Sequence, residues 1–69
     1  MTRDEINRHD ANAELNTAAR YDDDAERAGR NADQSSDPRE AWYERECAIA
    51  YRRKAAKHRA AAARDLRRK

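Results

Sequence analysis

The sequence predicts an all-α fold, an antiparallel two-helix hairpin with a coiled-coil-like, alanine-rich seam that dimerisation or a partner completes. Alanine recurs every seventh residue as Ala11, Ala18, Ala25 and Ala32, then again as Ala41, Ala48, Ala55 and Ala62. Seven residues are almost two helical turns, so each set forms one stripe down a helix. Between the sets the period slips by two, from 32 to 41, across a turn-like segment. Charged residues make up 43% of the chain, and Gly and Pro occur once each, which matches long helices and excludes collagen-like or turn-rich β folds.

The first helix is expected over about 3–30. Thr2 and Glu5 fit a capping box, with Thr as N-cap and Glu at the third helical position. Nothing stops the helix before Gly29, and residues 31–37 read as the turn. The second helix is expected over about 38–68, with Asp37 as N-cap and Pro38 at the first helical position. Arg and Lys crowd its last turn, where they complement the negative end of the helix dipole.

The material for a core is thin, since 16 of the 26 hydrophobic residues are Ala and the chain has no Val or Phe. An alanine buries roughly one methyl, worth about 0.8 kcal/mol, while ordering a residue costs about 1.5 kcal/mol. A lone hairpin of 69 residues therefore comes out marginal, and stability is expected to arrive with a second chain or partner.

Folding back about Gln34–Ser35 places residue i near residue 70 − i. In that register Ala11, Leu15, Ala18, Ala19, Ala25 and Gly29 form one face, and Trp42, Ile49, Ala56, Ala60 and Ala63 the other. Gly29 then faces Trp42, where the missing side chain leaves room for an indole. Tyr21 falls near Ile49, and Leu15 near Ala55. Behind this seam runs a second row, Tyr43, Cys47, Tyr51 and His58, expected to be a partner-binding surface, because tyrosine pairs an apolar body with a polar tip.

Charge is separated along the rod. The open end, residues 1–18 with 52–69, carries net +6, and the turn end, residues 19–51, carries net −4. One expectation is self-association with each acidic end against a basic end, giving a four-helix bundle. The other is contact of the basic end with nucleic acid or an acidic partner through Arg52, Arg53, Lys54, Lys57, Arg59, Arg64, Arg67, Arg68 and Lys69. Such contacts carry affinity rather than choice of sequence. Arg45 and Arg52 are also expected to lie along the seam edge, covering alanines with their stems and pairing with Asp22 or Glu26.

Motifs for catalysis are lacking: there is no phosphate-binding glycine loop, nucleophile elbow or carboxylate pair in a cleft. His9 and His58 approach in the 70 − i register without a firm third ligand, so no metal is expected. No cofactor is expected either. The single Cys47 points to a reducing compartment. With no apolar run long enough for a signal or membrane span, a cytoplasmic protein without membrane contact is expected. The layout is similar to the Rop family of plasmid RNA-binding hairpins in length, turn position and expected antiparallel dimer. No stretch matches that family's sequence, so the analogy carries no residue roles. The function expected is that of a non-enzymatic interaction hairpin, a regulator, adaptor or complex subunit, that binds another protein or a second copy of itself; the alternative is a small nucleic-acid-binding protein with a basic tip.

Overall fold

Thr2 opens the first helix as its residue type suggests: its extended backbone lets the side-chain oxygen accept a hydrogen bond from the Glu5 amide at 3.2 Å. The computed structural model describes residues 1–67. Helix α1 spans Arg3–Gln34 and helix α2 spans Pro38–Arg67. The first helix thus runs four residues beyond the expected end at 30, and the connection shrinks to residues 35–37. Gly29 does not break it, having no positive φ. Ala32 is buried at the interface, and packing of that last turn outweighs the turn preference of its Asn and Asp neighbours.

Three side chains close the connection. The Ser35 amide donates to the Ala32 carbonyl at 3.3 Å, and the Ser35 hydroxyl accepts from the Asp37 amide at 3.2 Å. Asp37 in turn caps α2 by accepting from the Arg39 amide at 2.9 Å. Pro38 takes the first helical position, where its missing N–H costs nothing.

The core is a ladder of alanines. Ala11, Ala18, Ala25, Ala28 and Ala32 of α1 and Ala41, Ala48, Ala55 and Ala62 of α2 are all buried, together with Asn7. No large side chain among the described residues is fully buried. The other seam positions, three residues after each alanine of the two heptad sets, hold Glu14, Tyr21, Ala28, Ser35, Glu44, Tyr51, His58 and Asp65, none of them exposed. Tyr21 stacks with Tyr51 at 6.2 Å between ring centroids, and Glu14 meets His58. In both pairs the residue numbers sum to 72, so the hairpin is shifted by two from the expected 70.

The helices also meet along a different face from the expected one. Trp42 is 63% exposed, Leu15 44% and Ile49 41%, and nothing lies within 4 Å of where a Gly29 side chain would begin. The alanine stripe has two flanks, one carrying Leu15, Trp42 and Ile49 and the other carrying Tyr21, Cys47, Tyr51 and His58. The chain closes toward the second flank, where rings stack and Glu14 meets the His58 ring. The rod measures 53 × 13 × 9 Å over Cα atoms. Its radius of gyration is 15.8 Å. A compact globule of this length would have about 11 Å.

Candidate interaction surface

The ribbon has two broad sides, which the cross-helix contacts identify. Asp22 forms an ion pair with Arg59 on one edge of the seam. Leu15 lies seven residues before Asp22 and Leu66 seven after Arg59, so both share that edge. Trp42 and Ile49 lie three before and four after Arg45, on the same side of α2. One broad side therefore carries Leu15, Trp42, Ile49 and Leu66, all exposed, with Gly29 half-buried between them. This is the face that sequence periodicity offered as the internal seam. A polar chain of mean hydropathy −1.49 thus keeps its bulkiest aliphatic side chains and its indole in water.

On the opposite side the Lys54 ammonium lies 5.6 Å from the centre of the Tyr21 ring, and Tyr21 stacks with His58 at 5.6 Å. The row expected to form a free partner surface is split by this packing. Cys47 and Tyr51 lie against the Ala25, Ala28 and Ala48 cluster, and His58 is engaged with Glu14 and Tyr21. Tyr43 is left outside at 63% exposure. The expectation that Cys47, Tyr51 and His58 sit behind the seam is thus corrected. Tyr51 and His58 sit in it, where their rings fill space that alanine leaves open, and Cys47 packs against the alanine cluster beside them. A hydrogen bond with the Cys47 side chain pushes the Tyr43 phenol above its ordinary value of 10.0, with the Cys47 and Glu44 charges acting in the same direction.

The basic end divides as well. Arg59 is engaged by Asp22 and Lys54 rests on Tyr21. Arg52 is exposed on the edge that carries Arg59, unpaired, as is Arg45; neither makes the expected pairing with Asp22 or Glu26. Arg53, Lys57, Arg64 and Arg67 are exposed on the outer side of α2, Arg67 donating to the Ala63 carbonyl at 3.2 Å. Arg68 and Lys69 lie outside the described residues. His58 meets Glu14 rather than His9, and among the described residues no group of three His, Cys, Asp or Glu is placed to hold a metal ion. Among the described residues no helix is long and apolar enough to cross a membrane.

Sequence reasoning missed Leu66 and misplaced Trp42, Ile49 and Leu15. Their signal was a second heptad stripe: residues 42, 45, 49, 52, 56, 59, 63 and 66 alternate in steps of three and four. A helix with two such stripes has two faces to cover, and the hairpin covers one. No protein-family model matches the chain, and neither a characterised protein nor a solved structure matches it.

Proposed function

We propose that this protein is a non-enzymatic helical hairpin that acts by binding another protein chain along the side bearing Leu15, Trp42, Ile49 and Leu66. The observation that carries the reading is their exposure, between 41% and 63%, on one side of a rod that buries only alanines and Asn7 among its described residues. Apolar groups held together in water mark contact surfaces, and a large aromatic among them is a typical anchor. A rod with a 13 × 9 Å cross-section also has no room to enclose a small substrate, which favours a macromolecular partner.

Site-specific photo-cross-linking in cells tests this. A benzophenone side chain in place of Ile49 is expected to capture protein, and the same probe at Arg53, on the outer side of α2, is not. Absence of any protein adduct from position 49 overturns the reading. A nucleic-acid adduct from position 53, with none to protein from 49, installs the nucleic-acid function in its place.

A further inference from the structure

We infer that the occupant of this side is a second copy of the chain, stacked so that α1 of each copy lies on α2 of the other and both turns point the same way. The inference rests on reading that side as a protein-binding surface and adds the identity and orientation of the partner. Charge on the face argues for it. The α2 stripe presents Arg45, Arg52 and Arg59 and no acid. The matching α1 stripe presents Glu5, Asp22, Glu26 and Asp33 against a single base, Arg8, so the two edges carry net +3 and −3. Within one chain only part of this is satisfied: Asp22 holds Arg59, Glu26 is 3.8 Å from Arg30, and Arg45, Arg52 and Asp33 are unpaired. Laying α1 on α2 of a second copy sets acidic edge against basic edge twice.

Shape agrees with charge. In the observed register Trp42 lies level with the last turns of α1, where Gly29 leaves open space. Stacked this way, the indole of one copy covers Gly29 of the other. The Cα outline of 53 × 13 Å gives a footprint on the order of 700 Å² before side chains, near the roughly 800 Å² per partner of a stable interface. Charge separation between the rod ends favours the opposite orientation, but exposed charges beyond about 8 Å are screened at physiological salt. The opposite orientation also sets the arginine stripe of α2 against itself at contact distance, where screening helps least.

The full chain is to be followed by sedimentation and by fluorescence of Trp42, the only tryptophan, over a concentration series. The expected species has twice the 8.0 kDa chain mass, with emission shifting to shorter wavelength as it forms. In a Cys47→Ala background, a mixture of Ala19→Cys and Ala56→Cys chains is expected to form the mixed disulfide, and Ala19→Cys alone none. Arg45→Glu with Arg52→Glu should weaken association at least tenfold while helicity holds, and adding Glu26→Lys with Asp33→Lys should restore it. A helical monomer with water-exposed tryptophan at every concentration overturns the inference. So does a disulfide from Ala19→Cys alone, which reports the opposite orientation. If the probe at Ile49 captures a different protein and never a second copy, the interaction reading stands and this inference falls.

Discussion

Gly29 occupies a helix interior with open space where a side chain would project, so its cost to the hairpin is one of backbone entropy alone. Gly29→Ala is expected to stabilise the isolated chain by about 1 kcal/mol, read from the urea midpoint at low protein concentration. Gly29→Leu should leave the hairpin equally folded and weaken association, which separates a role for this residue between chains from one within a chain. Trp42→Ala should cost the dilute hairpin less than about 1 kcal/mol, against the 3–5 kcal/mol typical of a buried aromatic, because the indole is 63% exposed. Tyr43 provides a check on local geometry: its phenol is expected to ionise above its ordinary 10.0, and Cys47→Ala to return it toward that value. Phenolate absorbance in a Tyr21→Phe, Tyr51→Phe chain measures it. Since the neutral phenol is the form favoured in the folded chain, any stability it adds is present below pH 10 and lost above it.

Along the middle of the seam, the buried side chains are alanines, with Asn7 beside them. Ala55 is 0% exposed, so Ala55→Leu must drive the helices apart or distort them. Overpacking of this kind typically costs 1–3 kcal/mol. In a domain this small that is expected to abolish cooperative unfolding, checked by circular dichroism in urea. Both helices, the Thr2 and Asp37 caps and the alanine seam were legible in the sequence, because caps and heptads are local signals. The flank toward which the seam leans was not. The stripe is bordered on one side by Leu15, Trp42 and Ile49 and on the other by Tyr21, Cys47, Tyr51 and His58, and bulk alone favours the first. What decides is pairwise and non-local: the ring stacks of Tyr21, and Glu14 meeting His58 across 44 residues. The placement of the bulky residues was missed for the same reason, since Leu15, Trp42 and Ile49, assigned to the seam, are left outside.

Taken whole, the rod divides its labour between two sides. One is finished by the chain itself, with stacked rings and a cation over an aromatic face. The other has basic and acidic edges that are only partly matched within the chain. Thermal stability is therefore expected to rise with protein concentration, since a partner that binds only the folded form stabilises it by mass action. Raising salt should weaken the association through its arginine edge more than it weakens the hairpin, whose buried alanines carry no charge. Melting curves at several concentrations and ionic strengths check both expectations.

The alanine ladder is a ruler with identical marks. Sliding one helix past the other by seven residues, about 10 Å of rise, still brings three of the four alanine levels together. Alanine has no rotamers to freeze, so the ladder is cheap in entropy, but for the same reason it holds no information about position. Position is written in a few unlike marks, Tyr21 on Tyr51, Glu14 on His58 and Asp22 on Arg59, and in the short connection that Ser35 and Asp37 tie down. Lengthen the connection and erase those three pairs, and the same two helices become a sliding joint, with several alignments of nearly equal free energy.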